Sequence, residues 1–454
     1  MKKVHHSMLQ GPLLFNIITY TIPIILTNAL QLLFNAADLV IVGRFHGSIC
    51  VAAVSATSAI TNLIVNLFIG LSLGAGVTVA HALGSRENDF VHKTVHTALP
   101  AALISGILLT LIGIFFSENF LLLMGTPESI LPLSTVYMKI YFSGITFTMV
   151  YNFCASILRA VGDTKNPLIY LTVSGVINVI LNIIFVTVCN LNVEGVAYAT
   201  VISQGISAAL IVVALIRRTD ACKLDLSKLH IYMAPLFKML RIGLPAGIQR
   251  SLFAISNVII QTSVNSFGDI LMSGNGAASS LESFINVIPS AFHQTAVNFI
   301  GQNTGAHQYK RVKQTYGICL ACSSLSTLFI CRLCYRFAPN LLSLYITDSQ
   351  EAIAYGVIRL TYTCLPYFTF SLMDITTGAI RGMGASFTPM LISVLGVCGI
   401  RIAWIYSVFQ IPAYHTPEKL YLSYPISWVI TFICHLIAFR IIYCKRMRQD
   451  TLAR

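Results

Sequence analysis

The sequence predicts an all-α, polytopic membrane protein with twelve transmembrane helices in two parallel six-helix repeats. Three observations predict this fold: an apolar composition, twelve apolar stretches of membrane-spanning length, and a sequence echo within the chain. The 454 residues are 56% hydrophobic and only 10% charged, with a mean hydropathy of +0.77, whereas soluble domains carry about 25% charged residues. A soluble fold of this length could not bury so much apolar surface.

The twelve apolar stretches follow one another along the whole chain, and each is long enough to cross a bilayer as a helix. They cover residues 14–42, 51–80, 95–116, 135–158, 167–190, 194–216, 240–266, 273–300, 314–338, 352–379, 388–410 and 421–443. Six lie on each side of a polar loop. This divides the chain into an N-terminal lobe (1–216), a cytoplasmic inter-lobe loop (217–239) and a C-terminal lobe with a short basic tail (240–454). The first stretch is too long for a cleaved signal peptide.

A nine-residue stretch after the fourth segment is echoed after the tenth segment. The shared residues are Arg159, Gly162 and Pro167, which recur 222 positions later as Arg381, Gly384 and Pro389. Six segments, an even number, separate these two turns, so the two lobes point the same way across the membrane. Parallel repeats of this kind are typical of transporters, in which two such halves usually enclose a path between them.

The net charge of +13 does not indicate a nucleic-acid-binding protein, because the basic residues follow the membrane topology. Lys and Arg concentrate in the N-terminus, the 217–239 loop and the C-terminal tail, whereas the opposite loops hold few. This positive-inside bias predicts that both termini are cytoplasmic. The expected partner is therefore the lipid bilayer, with no nucleic acid.

No constellation of residues indicates an enzyme or a resident metal. Gly70-Leu71-Ser72-Leu73-Gly74 matches the pattern of serine hydrolases, but it lies inside an apolar segment, where small residues let helices approach closely. No P-loop pattern occurs. The cysteine pairs at 319/322 and 331/334 share one apolar segment and fit apolar filling better than a zinc site. We expect no enzyme activity, no cofactor, and no metal beyond Na+ as a coupling ion.

Acidic residues within the spans are the informative ones, because a carboxylate in a bilayer costs about 2.5–3.5 kcal/mol on insertion scales. Of the 16 Asp and Glu residues, only Asp38, Glu282 and Asp374 lie within predicted spans. Asp38 is the last residue of a polar stripe that also contains Asn28, Gln31 and Asn35. The spacings of 3, 4 and 3 residues place all four side chains on one helix face. Such a stripe should face the protein interior or a wet cavity rather than lipid.

Other polar side chains repeat at helical spacing: Asn62 with Asn66, Asn178 with Asn182, and Glu282 with Asn286 and His293 on the face that also carries Pro289. The candidate substrate or cavity residues are Gln31, Asn35, Asn62, Asn66, Glu282, Asn286, His293 and Asp374. The repeat places Asp38 opposite Ile260, Glu282 opposite Ile60 and Asp374 opposite Asn152. A structural role in the repeat unit would favour the same residue twice, so this asymmetry favours a functional role for the acids.

At these residues the chain resembles a bacterial member of the multidrug and toxic compound extrusion (MATE) family, over residues 14–443. The resemblance rests on three regions: the stretch Asn35–Arg44, the stretch Gly301–Ala306, and the turns that begin at Leu158 and Ile380. It implies two six-helix lobes forming a V-shaped transporter of the bacterial cell (inner) membrane.

The resemblance also implies a function and a coupling site. It implies efflux of small, drug-like organic and often cationic compounds, driven by H+ or Na+ and carried out by a monomer. Asp38 matches the family's first-segment acid and Asn178 a fifth-segment Asn, while Asn182 stands where some relatives carry a second Asp. These three are the candidate coupling-ion residues, and entry of a cation would neutralise Asp38.

Two alternatives stay open at this point. A flippase for lipid-linked precursors, of the same broad superfamily, would need a cationic cavity, for which Arg250 and Arg401 are the expected cations. A membrane enzyme or a non-transporting receptor would need a reactive set or a sensing domain, and the sequence offers neither.

Overall fold

The structure is a computed structural model that describes residues 8–347 and 349–453, and nearly all of these residues are helical. The helices are α1 (Leu13–Gly84), α2 (Asn88–Leu123), α3 (Leu131–Ser143), α4 (Ile145–Ala160), α5 (Lys165–Ile183), α6 (Val193–Ile216), α7 (Met233–Asn265), α8 (Asp269–Gly305), α9 (Tyr309–Arg336), α10 (Ala338–Leu342), α11 (Gln350–Thr363), α12 (Tyr367–Gly382), α13 (Phe387–Ser393), α14 (Ile400–Tyr406) and α15 (Pro417–Ala453). Within these residues there is no strand, so the all-α prediction is confirmed.

Short stretches of other helical geometry complete the secondary structure. A π-helical stretch, Ile184–Val188, continues α5, and another, Val394–Gly399, joins α13 to α14. Three 3-10 turns lie at Leu226–Lys228, Val408–Gln410 and Pro412–Tyr414. π-Helical stretches inside α-helices are often found at functional sites, so the two in this chain mark α5 and the α13–α14 segment for attention.

All twelve predicted segments lie on helix. Seven spans among the described residues are long and apolar enough to cross a membrane, and the α3–α4 pair, bent by 46°, makes an eighth. One of the seven, α1, contains two predicted segments, which Gly47 separates with φ 82° and ψ −177°; glycine adopts such a positive φ at little cost. The other predicted segments lie in α7, α8 and the α11–α12 pair.

The chain forms two compact units. The first unit contains Ile22–Ser251, and the second contains Leu9–Thr21 together with the chain from Leu252 onward. The core of the first unit lies between the second half of α1 and helices α2, α4 and α6. The core of the second unit lies mainly between α7, α8, α11, α12 and α15.

The boundary between the two units does not coincide with the boundary between the two sequence repeats. The first turns of α7 belong to the first unit, and the first turns of α1 belong to the second unit. In the first unit, α7 packs on α1 through glycines: a Cβ on Gly247 would lie 2.1 Å from the Leu67 carbonyl oxygen, and one on Gly74 would lie 2.2 Å from that of Met239. In the second unit, the first turns of α1 pack on α8, where Thr21 Oγ1 lies 2.8 Å from Thr295 Oγ1. The Gly70–Gly74 pattern therefore serves close helix packing.

The two echoed turns have the same backbone geometry. Gly162 has φ 98° and Gly384 has φ 83°. The amide of Gly162 donates to the Arg159 carbonyl at 3.0 Å, and the amide of Gly384 donates to the Arg381 carbonyl at 2.8 Å. The repeat is thus visible in backbone conformation as well as in sequence.

Candidate functional site

Asp38 lies on α1 within the first unit, against polar side chains of α5 and α6. Asn182 Nδ2 donates to Asp38 Oδ1 at 2.5 Å, and it also lies 3.2 Å from Asn178 Oδ1. Thr200 Oγ1 lies 3.5 Å from Asp38 Oδ2 and 3.5 Å from Asn178 Nδ2. The structure therefore brings together Asp38, Asn178 and Asn182, as the sequence predicts, and adds Thr200. We call these four residues the Asp38 site.

The Asp38 site contains a carboxylate and no cation. In the part of the chain that the structure describes, no Lys, Arg or His forms an ion pair with Asp38. Among the described residues, the carboxylate has only amide and hydroxyl groups as hydrogen-bond neighbours, and the Asn182 carbonyl oxygen is buried without a hydrogen-bond partner. Tyr137 of α3 lies close enough to Asp38 for an electrostatic interaction. The site thus offers several oxygen atoms to a small cation.

Four other predicted polar residues of the first unit are not part of the Asp38 site. Gln31, Asn35 and Asn62 are exposed on the surface of α1, and Asn66 is half-buried. None of the four makes a hydrogen bond to Asp38. The stripe on α1 therefore leads from an exposed face to a partly enclosed carboxylate.

Glu282 of α8 lies in the second unit and is neutralised by Arg359 of α11. Arg359 Nη2 lies 2.7 Å from Glu282 Oε2, and Nε lies 3.0 Å from Oε1. Thr363 also donates to Oε1. Arg359 further donates to Asn275 Oδ1, which accepts a second hydrogen bond from Tyr421 Oη at 3.0 Å. Both oxygens of Glu282 are therefore engaged.

The Glu282–Arg359 ion pair lines a cavity of about 350 Å³ in the second unit, and Arg401 lines the same cavity. We call this cavity the Arg401 cavity. Its wall includes Ile260 and Asn257, the repeat counterparts of Asp38 and Asn35, and the candidate residue Asn286. The expectation that Arg250 and Arg401 are the only cavity cations is wrong, because Arg359 lines this cavity.

His293 and Asp374 form a separate pair between α8 and α12. His293 Nδ1 lies 3.1 Å from Asp374 Oδ1 and 2.9 Å from the Asp374 carbonyl oxygen. The other ring nitrogen of His293, Nε2, is buried and has no hydrogen-bond partner in the part of the chain that the structure describes. Among the described residues, no group of three or more His, Cys, Asp or Glu side chains could hold a metal ion.

Sequence reasoning missed Arg359, Thr200 and Tyr137. A signal for Arg359 was present, because a basic residue inside an apolar span is as costly as an acidic one. The repeat pairs Arg359 with Tyr137, so the corresponding positions of the two units carry a cation and a phenol. Thr200 carried no such signal, since threonine is common in membrane helices. Its contact with Asp38 depends on how α1 and α6 pack, which the sequence does not report.

Two helical repeats, with small polar sites enclosed among apolar membrane helices, define a multi-pass membrane transporter. The sequence profile of the MatE family matches residues 23–184 and 245–407, one match in each half. The chain belongs to this family, the MATE multidrug efflux transporters. Transporters of this family need no cofactor and are not enzymes.

Relatives and a solved structure agree with this placement. The chain is 29% identical over 403 residues to the probable multidrug resistance protein YpnP of Bacillus subtilis, covering 87% of this chain and 88% of that protein. It is 25% identical over 459 residues to the FAD transporter of Shewanella oneidensis, covering 99% of each. A crystal structure of MATE in the bent conformation matches with a TM-score of 0.91 at 18% identity, covering 99% of this chain and 100% of that one. The flippase alternative is not favoured by these matches.

Proposed function

We propose that the chain exports organic, often cationic compounds across the cell membrane in exchange for H+ or Na+, and that Asp38 binds the coupling cation. One observation carries this proposal: Asp38 is a carboxylate within a membrane helix that has amide and hydroxyl neighbours and no cationic partner among the described residues. Glu282, by contrast, already has its counter-ion.

The energetic reason is the cost of an uncompensated charge in the membrane. A carboxylate within a bilayer costs about 2.5–3.5 kcal/mol on insertion scales, and two weak neutral neighbours offset only part of this. A proton would neutralise Asp38 directly. A sodium ion would do so with oxygen ligands, for which the Asn178, Asn182 and Thr200 side chains stand close by.

Cation binding at Asp38 has a direct structural consequence for α5. The amide of Asn182 donates to Asp38 in the cation-free arrangement, and an arriving cation competes with that amide for the same carboxylate oxygen. Asn182 lies two residues before the π-helical stretch Ile184–Val188, where the α-helical hydrogen-bond ladder is already altered. We propose that this junction lets α5 change position when the cation binds or leaves.

The relatives differ in the substrate that their names give. One is named a probable multidrug resistance protein and another an FAD transporter. The proposal therefore commits to organic compounds as the class, and a fluorescent organic cation is the first substrate to test. The proposed location is the inner membrane with both termini cytoplasmic.

The test is efflux of a fluorescent cation from proteoliposomes under proton and sodium gradients imposed separately. We expect one gradient to accelerate efflux in the wild type and Asp38→Asn to lower that acceleration at least about tenfold, since tenfold corresponds to only 1.4 kcal/mol. Asp89→Asn is the matched control, because Asp89 lies at the exposed start of α2 in an ion pair with Lys93. Full gradient-dependent efflux by Asp38→Asn would remove Asp38 from the mechanism.

The proposed orientation is tested by accessibility of single cysteines. Cys189 is exposed in the connection between α5 and α6, and Ser85 is exposed between α1 and α2. In an otherwise cysteine-free chain, Cys189 should react with a membrane-impermeant maleimide in intact cells, and Ser85→Cys only after permeabilisation. The opposite labelling pattern would reverse the orientation.

A further inference from the structure

The Arg401 cavity carries one more positive charge than negative charge. Three of its lining residues are charged: Glu282, Arg359 and Arg401. Arg359 holds both carboxylate oxygens of Glu282, so this pair is neutral. Arg401 remains as an unbalanced cation on the cavity wall.

The surroundings of Arg401 stabilise its guanidinium only in part. Arg401 is 4% exposed, its Nε donates to Ser427 Oγ at 3.0 Å, and its Cζ lies 4.1 Å from the centre of the Tyr424 ring and 5.7 Å from that of Trp428. Across the described residues, no carboxylate forms an ion pair with it. Aromatic faces contribute about 0.5–2 kcal/mol to a cation, whereas a buried charge without a counter-ion costs several kcal/mol.

The shape and lining of the cavity suit a small aromatic compound. Its volume of about 350 Å³ lies at the small end of the range in which organic ligands bind, about 300–1,000 Å³. Phe253, Tyr367, Phe370 and Trp428 supply aromatic walls. The π-helical stretch Val394–Gly399 ends two residues before Arg401, which is the kind of irregularity that often accompanies a functional position.

We propose that the Arg401 cavity binds small aromatic monocarboxylates, with Arg401 as the counter-ion of the carboxylate and the aromatic side chains around the ring. One unbalanced guanidinium matches one negative charge, and arginine pairs with carboxylates through two parallel hydrogen bonds. The transport of such compounds rests on the proposed function, and it adds compounds with one anionic group to the organic substrates proposed there. Their binding does not depend on it.

The test is equilibrium binding of three probes of the same shape to the purified full chain: 2-naphthoate, neutral 2-naphthamide and cationic 2-naphthamidinium. We expect 2-naphthoate to bind at least about tenfold more tightly than 2-naphthamide, and 2-naphthamidinium to bind most weakly. Arg401→Gln should abolish the preference for 2-naphthoate while leaving the affinity for 2-naphthamide unchanged. Equal binding of the three probes by the wild type would overturn the proposal.

A second pair of variants tests the charge of the cavity without touching Arg401. Ile260 lines the cavity at the position that corresponds to Asp38. Ile260→Asp adds the missing negative charge and should weaken 2-naphthoate binding at least about tenfold relative to Ile260→Asn, which has the same shape without the charge. Equal affinities of these two variants for 2-naphthoate would contradict the proposal even if Arg401→Gln does not fold.

The proposal and the transport function fail in different ways. Preferential binding of 2-naphthoate without gradient-driven efflux of any probe would leave the cavity assignment standing and remove the transport function. Gradient-driven efflux of a dye by a protein that shows no preference for 2-naphthoate would leave the transport function standing and remove the cavity assignment.

Discussion

Asp38 in the first unit and Glu282 in the second are both carboxylates within membrane helices, but their partners differ. Glu282 is held by Arg359 at 2.7 and 3.0 Å and by Thr363, whereas Asp38 meets only amide and hydroxyl groups among the described residues. Charge compensation within the protein makes Glu282 part of the fold. At Asp38 no such counter-ion occurs among the described residues, and for this reason we propose that a mobile cation binds there.

The largest effect that this comparison predicts is a difference in stability. Glu282→Gln leaves Arg359 buried without its counter-ion, so the free energy of unfolding should fall by about 3–5 kcal/mol. Asp38→Asn removes a charge that has no cationic partner among the described residues, so it should lower the stability far less than Glu282→Gln. The measurement is the thermal unfolding midpoint of both variants in one detergent.

A double variant sharpens this prediction. Replacing the pair with apolar residues, Glu282→Leu with Arg359→Met, should be less destabilising than Glu282→Gln alone, because no buried charge is left unpaired. If Asp38→Asn proved as destabilising as Glu282→Gln, the distinction between a structural and a functional carboxylate would be lost.

The next effect concerns how the second unit holds Arg359 in place. Gly274 of α8 lies against α11, where an added Cβ would be 2.2 Å from the Ala352 carbonyl oxygen. Gly274→Ala should therefore force the helices apart near the Asn275–Arg359 contact and lower the stability by about 1–3 kcal/mol. Gly276→Ala is the control on the same helix, because a Cβ there meets nothing within 4 Å. Equal unfolding midpoints for the two variants would argue against tight packing at this crossing.

The smallest effect concerns the corresponding crossing in the first unit. At the crossing of α8 and α11, the Cβ added to Gly274 would also lie 2.9 Å from the Gly356 amide nitrogen. The repeat counterpart of Gly356 is Ser134, whose Oγ donates to the Ala53 carbonyl oxygen at 3.0 Å. Ser134→Ala should lower the stability by about 0.5–1.5 kcal/mol, the net value of one hydrogen bond. Ser143→Ala, at an exposed site in the same helix, should change it less. A larger loss at Ser143 would show that the Ser134 bond does not secure this crossing.

The sequence predicted most of the fold because membrane helices leave strong local signals. Length and hydropathy located all twelve segments, and the echo between Gly162 and Gly384 predicted two equivalent turns, in which the structure gives both glycines a positive φ. For the Asp38 site, helical spacing placed Asn178 and Asn182 on one helix face, the family resemblance grouped them with Asp38, and Thr200 was not predicted. These signals are local, so one sequence suffices to read them.

The partners of Glu282 could not be predicted from the sequence. Arg359 lies 77 residues away from Glu282, and their meeting depends on how α8 and α11 cross. The spacing of residues within one helix does not predict a contact between two helices, such as that of Glu282 with Arg359. The sequence also could not predict that the first turns of α1 belong to the second unit and those of α7 to the first. An amphipathic pattern indicates that a helix face is buried, but it does not indicate which helix covers that face.

The proposed role of Asp38 as the residue that exchanges the coupling cation is tested most directly by cation release from the purified protein. Release on addition of substrate is followed with a pH dye in weak buffer and, separately, with a sodium-sensitive dye. We expect release of H+ or Na+ by the wild type and by Asp89→Asn, and none by Asp38→Asn. Undiminished release by Asp38→Asn would contradict it.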